Sequence, residues 1–148
     1  MLTLRNFSTD DALILHRFAY PNMPIDKIEE MIVEWNEKRV NNKYFEMFAI
    51  LNDEIIVGMI SLYQHSKEVI SIGPEIFSDH RRKGYGKEAL SLAIGIAKVK
   101  GYKIVSQQIR TNNAASIALH TSLGFETSDR VYTNEKGNQV SIYLKSII

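Results

Sequence analysis

Arg81-Arg82-Lys83-Gly84-Tyr85-Gly86-Lys87 gathers four cations and two glycines shortly after an apolar, branched run from Val69 to Phe77. Apolar residues at helical spacing follow at once, Tyr85, Ala89, Leu92, Ala93 and Ile96, so a helix is predicted to open inside this cluster. A helix start leaves main-chain N–H groups without acceptors and carries the positive end of the helix dipole. Donors and cations would then face one point, which suits a polyphosphate. Glycine at 84 and 86 lets an anion reach the main chain and lets the turn take dihedrals that side chains resist. A solvated basic turn fits the same residues and stays open on them alone. The G-x-x-x-x-G-K-[ST] loop is absent. Position 89, the third-glycine place of a dinucleotide fingerprint, holds alanine, and the basic run together with the lack of an early βαβ unit argues against a nicotinamide fold.

A second segment further on carries polar residues at fixed places in an apolar frame: Asn113-Ala-Ala-Ser116-Ile-Ala-Leu-His120-Thr-Ser-Leu-Gly124-Phe125. Arg81-x-x-Gly84-x-Gly86 resembles the acetyl-CoA loop [Q/R]-x-x-G-x-[G/A] of the GNAT superfamily of acetyltransferases. The downstream segment resembles that family's N-x-x-[A/S]-x-x-x-[Y/H]-x-x-x-G-F element. Two motifs in the right order, with helices before and a hairpin after, extend the similarity over nearly the whole chain.

The resemblance implies an acetyl-CoA-dependent N-acetyltransferase acting on a primary amine of a small molecule or a protein. It implies that the amides of Arg82, Lys83, Gly84, Tyr85, Gly86 and Lys87, with Arg81, receive the pyrophosphate. Ile76 and Phe77 are expected to pair their main chain with pantetheine, Asn113 to reach the pantetheine arm, and Ser116 to face the cofactor. His120 stands where many members have tyrosine and becomes a candidate general acid for the leaving thiolate, beside the plain alternative of a helix histidine packed on the sheet. The usual base positions on the strand before the loop hold Ile70 and Ile72. Related ribosomal-protein acetyltransferases have Glu where this chain has Gln108. Glu68 and Glu75 are the base candidates that remain, with deprotonation by water as the alternative. A non-catalytic CoA-binding or regulatory module is the rival function. A homodimer is also compatible with the resemblance.

These residues need a scaffold. A strand at Leu2 to Asn6 is followed by Ser8-Thr-Asp-Asp11, a capping-box start for a helix to about Tyr20. Ile25, Ile28, Ile32 and Trp35 predict a second amphipathic helix. Tyr44 to Leu51 and Ile55 to Gln64 read as a hairpin about Asn52-Asp53, with Gly58 marking a bulge, and Val69 to Phe77 as a third strand. A strand at Lys103 to Arg110, a helix from Asn113 to Leu123 and a last pair of strands about Asn134 to Asn138 complete the reading. It is a single-domain mixed α/β (α+β) fold, helices flanking a sheet with antiparallel and parallel neighbours. The resemblance adds that two central parallel strands, Glu68–Phe77 and Lys103–Arg110, splay apart into a slot. Tyr63, Tyr44 and Trp35 are candidates to line an acceptor pocket there.

Composition sets the outer bounds. The 148 residues are 45% hydrophobic, enough for one core, and the net charge of +1 offers no general attraction to nucleic acid or membrane. No cysteine is present, so disulfides and thiolate metal sites are excluded. The four histidines fall at no ligand spacing, and no metal is expected. With neither a signal-like start nor a spanning apolar stretch, the expected location is cytoplasmic.

Overall fold

A computed structural model describes all 148 residues, Met1–Ile148. Strand β1 (Leu2–Asn6) leads through a short 3-10 turn into helices α1 (Ala12–Phe18) and α2 (Ile25–Trp35). The two-residue β2 (Arg39–Val40) precedes three long strands, β3 (Lys43–Asn52), β4 (Ile55–Gln64) and β5 (Val69–Ile76). Helix α3 (Tyr85–Val99), strand β6 (Ile104–Arg110) and helix α4 (Ala114–Ser122) follow, then β7 (Glu126–Thr127), β8 (Tyr132–Thr133) and β9 (Gln139–Ser146).

The strands form one sheet in the order β1-β3-β4-β5-β6-β9-β7, with β2 on β3 and β8 on β9. All neighbours are antiparallel except β5 and β6. Alternation along the strands sends Ile50, Ile60, Leu62, Ile70 and Ile72 to one face, where Ala89, Leu90, Ala93 and Ala97 of α3 cover them. Ala49, Leu51 and Met59 face the other way, against Leu15 of α1 and the stripe Ile28 and Ile32 of α2. Two apolar layers therefore clamp one sheet, as the periodicities predict.

The first helix starts later than its capping box suggests. Asp11 accepts from the Ser8 N–H at 2.8 Å and from the Arg5 guanidinium at 2.8 Å, and the chain makes a 3-10 turn before α1 begins at Ala12. Gly58 sits beside an irregularity in register between Ile50 and Leu51. A Cβ on it would stand 2.3 Å from the Glu75 carbonyl oxygen, so glycine is what lets β4 lie this close to the end of β5.

The parallel pair is the feature that builds a site. β5 and β6 are paired only at Val69↔Ile104 and Ile70↔Val105, after which they diverge. Each keeps its outer partner to the end, β5 on β4 as far as Ile76 and β6 on β9 as far as Arg110. A wedge-shaped gap is thereby opened inside the sheet. The Phe77 N–H donates to the Val57 carbonyl at 2.9 Å, which makes Gly58↔Ile76 a non-hydrogen-bonded pair and turns the polar groups of Ile72, Pro74 and Ile76 toward the gap. Pro74, without an N–H, occupies a place where no ladder partner stands.

Candidate active site

The loop between β5 and α3 approaches the gap from one end. Arg82 has φ +65° and Gly84, the residue before α3, has φ +81°, so the turn is left-handed at two places. None of the N–H groups from Arg82 to Lys87 donates within the chain; the first main-chain bond of the helix runs from the Glu88 N–H to the Gly84 carbonyl at 3.3 Å. Six consecutive donors thus stand free at a positive helix end, beside the exposed side chains of Arg81, Arg82, Lys83 and Lys87. Gly86 faces a cleft of about 630 Å³ bounded by β5, β6 and α4, and shared by Arg81, Ile76, Glu75, Asn113, Ser116 and His120. A Cβ on Gly86 would come no nearer than 3.9 Å to Ile76 or Leu119, so this wall is open toward the cleft.

A second recess of the same volume lies against the gap, lined by Ser61, Tyr63, His65, Ser71, Ser106 and Ile142 among others. Both recesses include Ile72, Gly73, Gln107 and Gln108, so they meet where β5 and β6 part.

Gln107 spans that meeting point. Its Oε1 accepts from the Ile72 N–H at 2.9 Å and its Nε2 donates to the Ile72 carbonyl at 2.6 Å, so a side-chain amide supplies the rung that β6 no longer offers. The residue is buried, and a second hydrogen of Nε2 points to His120 Nε2 at 3.3 Å. His120 is buried too. Its Nδ1 lies 2.8 Å from the Ser116 carbonyl, which can only accept, so the network assigns the proton to Nδ1 and leaves Nε2 as the acceptor for Gln107. Burial lowers the histidine's pKa, and the bond to the Ser116 carbonyl, which favours the charged form, offsets only part of that.

His120 is therefore held neutral. Its stabilising contribution is complete above about pH 6.5 and is lost as pH falls toward the lowered folded value. Asp11 and Glu46 titrate in a lower window: burial opposes their ionisation, but hydrogen bonds from Arg5 and Ser8, and from Tyr44 and Asn6, outweigh it and lower both. Melting temperature should consequently decline as pH falls below about 6.5, and His120→Gln should remove that step in thermal scans.

Several expectations need correction. Phe77 does not face the cleft: its N–H is bound to Val57 and its ring stacks on Phe18 at 5.5 Å. The Ile76 carbonyl accepts from Arg81 Nε at 2.9 Å, so of the two residues only the Ile76 N–H faces the gap unengaged. Glu68 lies at the joined end of β5 and β6, ion-paired with Lys103 at 3.5 Å, and lines neither recess. Glu75 does line the cleft, at its exposed rim. Tyr85 turns its hydroxyl to Asn52 at 3.0 Å and packs on the core. Asn113 caps α4 through the Ser116 N–H at 3.1 Å, and both residues line the cleft. Tyr63 lines the second recess, whereas Tyr44 stacks on Tyr102 and Trp35 packs on Phe7. Gln107 escaped the sequence reading, and His65 reads there only as a strand-end histidine at no ligand spacing. The available signal for Gln107 was a polar residue at an inward place between Val105 and Ile109.

No group of three or more His, Asp or Glu side chains is placed so that it could hold a metal ion, and no helix is long and apolar enough to cross a membrane.

Comparison with known proteins agrees with this architecture. An uncharacterized N-acetyltransferase, YokL, from the SPbeta prophage of Bacillus subtilis is 30% identical over 95 residues, 62% of this chain and 54% of that one. An L-methionine sulfoximine/L-methionine sulfone acetyltransferase of Pseudomonas aeruginosa is 42% identical over 53 residues, 36% and 31% of the two chains. The matches thus span about half and about a third of those relatives. A spermidine N-acetyltransferase from Vibrio cholerae, solved in complex with CoA and spermine, shares the fold with a TM-score of 0.80 at 15% identity, covering 98% of this chain and 95% of that one. A family model described as an acetyltransferase (GNAT) domain matches residues 1–126, most of the sheet and all four helices, and the chain belongs to that family.

Proposed function

We propose that the protein transfers an acetyl group from acetyl-CoA to a primary amine, by direct attack of the amine in a ternary complex. The observation that carries this reading is the run of six free N–H groups from Arg82 to Lys87 at the mouth of the cleft. They suit the pyrophosphate, with Arg81, Arg82, Lys83 and Lys87 adding charge. The Ile76 N–H and the Asn113 side chain suit the pantetheine arm, and the thioester then belongs where the two recesses meet, beside Gly73, Gln107 and Gln108. Holding acceptor and thioester in one slot supplies most of the advantage.

His120 in this arrangement orients Gln107 and has no proton at Nε2 for the departing sulfur. The Gln107 amide cannot turn to accept one without setting its oxygen against the Ile72 carbonyl and its NH₂ against the Ile72 N–H. CoA is accordingly expected to leave as thiolate. The second recess has no carboxylate on its walls, so nothing there matches the several charges of a polyamine. A monoamine or an amino-acid-like acceptor fits better. A CoA-binding module without turnover is favoured by the isoleucines at 70 and 72 and by Pro74, which offers no N–H to an oxyanion.

Release of thiol from acetyl-CoA with a panel of monoamines, amino acids and polyamines separates these readings. Consumption with a monoamine and none with spermine is expected. Binding of coenzyme A without consumption by any amine would leave the module.

A further inference from the structure

The site described so far has no base for the acceptor. An amine near neutral pH arrives as an ammonium ion, and its nitrogen attacks only after losing a proton. Ile70 and Ile72 cannot take it, Glu68 is outside both recesses, Glu75 lies at the exposed rim of the first cleft and does not line the second recess, and His120 Nε2 already accepts from Gln107.

The second recess holds one titratable nitrogen, at His65. The Ser71 hydroxyl donates across the gap to the Ser106 carbonyl, which can only accept, so the hydroxyl's one proton is committed there. His65 Nε2, 2.5 Å from Ser71 Oγ, must then be the donor in that contact. A neutral His65 so arranged carries its lone pair on Nδ1. The main chain of the residue is fixed on both sides: its N–H donates to the Val69 carbonyl at 2.9 Å and its carbonyl accepts from Lys43 Nζ at 2.8 Å. Tyr63 holds the ring edge-on, with centroids 5.3 Å apart. The ring itself is exposed.

The charged and titratable groups around it are few. Lys43 comes from β3, Tyr63 from β4, and Lys67 and Glu68 from the turn between β4 and β5, where Glu68 is engaged with Lys103. None of the four ion pairs in the chain involves His65.

We propose that His65, oriented by Ser71, is the general base for the acceptor amine in the second recess. This rests on the acetyltransferase reading above and deepens it. The His65 Nδ1 lone pair takes one proton from the ammonium group, directly or through one water. The freed nitrogen lone pair forms the C–N bond with the thioester carbonyl carbon, and the C–S electron pair leaves with sulfur. The nitrogen keeps one hydrogen as the amide, its other surplus proton goes to the thiolate, and His65 returns its own to solvent from its exposed face.

The test is His65→Ala and Ser71→Ala with acetyl-CoA and an amine accepted by the wild type, from pH 6 to 9. His65→Ala is expected to lower kcat by about 100-fold or more, to leave the KM for acetyl-CoA in place, and to lose the rise of kcat with pH below neutrality. Imidazole added to the buffer should restore about 10-fold of that loss, because the vacated place opens to solvent. Ser71→Ala should show a smaller loss of the same kind. Wild-type turnover in His65→Ala, or a loss that imidazole does not relieve with the pH profile unchanged, overturns the assignment of the base alone. A wild-type chain that binds coenzyme A yet consumes no thioester with any amine overturns the parent reading and this one with it.

Discussion

Gly86→Glu is expected to weaken coenzyme A binding severely while the protein stays folded. The residue is the second of α3, its φ is not positive, and a Cβ there meets nothing closer than 3.9 Å, so the backbone and its neighbours accept a side chain. Glutamate in a first helical turn is favourable in its own right. The new side chain enters the cleft beside the free N–H groups, where it occupies their space and brings a negative charge to the place proposed for the pyrophosphate. An increase in Kd of at least about 100-fold, roughly 2.7 kcal/mol, is expected in calorimetry, with the melting temperature nearly unchanged. Gly95→Glu in the same helix is the control, since a Cβ at that position meets nothing within 4 Å and the residue lies outside the cleft. Normal affinity in Gly86→Glu would show that the anion site lies elsewhere.

Gln107→Leu carries the second large effect, on stability. Leucine matches the volume but leaves the Ile72 N–H, the Ile72 carbonyl and His120 Nε2 without partners in the interior. Each orphaned buried group costs about 1–3 kcal/mol, less where water enters the gap. A loss of about 3 kcal/mol is expected, which for a chain of this size lowers the melting temperature by roughly 6–12 °C. Gln107→Glu asks a sharper question. A carboxylate there can only accept, so His120 is predicted to gain a proton at Nε2 and become charged at neutral pH, visible in its ring ¹⁵N shifts. A leucine variant as stable as the parent would mean that the amide does not hold the two strands.

The sequence was legible wherever a local pattern sufficed. The stripe Ile25, Ile28, Ile32 and Trp35 became α2, and Arg81 to Lys87 became the start of α3 because the glycines and the apolar spacing act within a few residues. Patterns two residues long carry no period, so β2 and β7 were invisible, whereas β8 is legible through the turn Asn134 to Asn138 that joins it to β9. The outward turn of Phe77 depends on the register of β4, more than a dozen residues away, and could not be read from its own strand. Strand parity leaves Glu68 as one remaining base candidate, but which end of β5 remains joined to β6 is a tertiary fact. Gln107 and His65 make the same point from opposite directions. One is an ordinary polar residue whose meaning appears only across the gap, and the other is a turn residue brought to Ser71 by the hairpin between β4 and β5.

Pro74 bears on how the unliganded chain survives. A strand with one flank bare is a template onto which a foreign backbone can add, and such templating is a common route to aggregation. Here the bare flank lies at the centre of the molecule, at the gap proposed for the cosubstrate, and an opening of that kind can tempt an intruder. An imino acid at its midpoint interrupts the row of donors an invading strand would need, and the Gln107 amide already covers the next rung. A pantetheine arm asks for fewer rungs than a polypeptide does, so on the proposed function the same interruption would admit the small guest and turn away the large one.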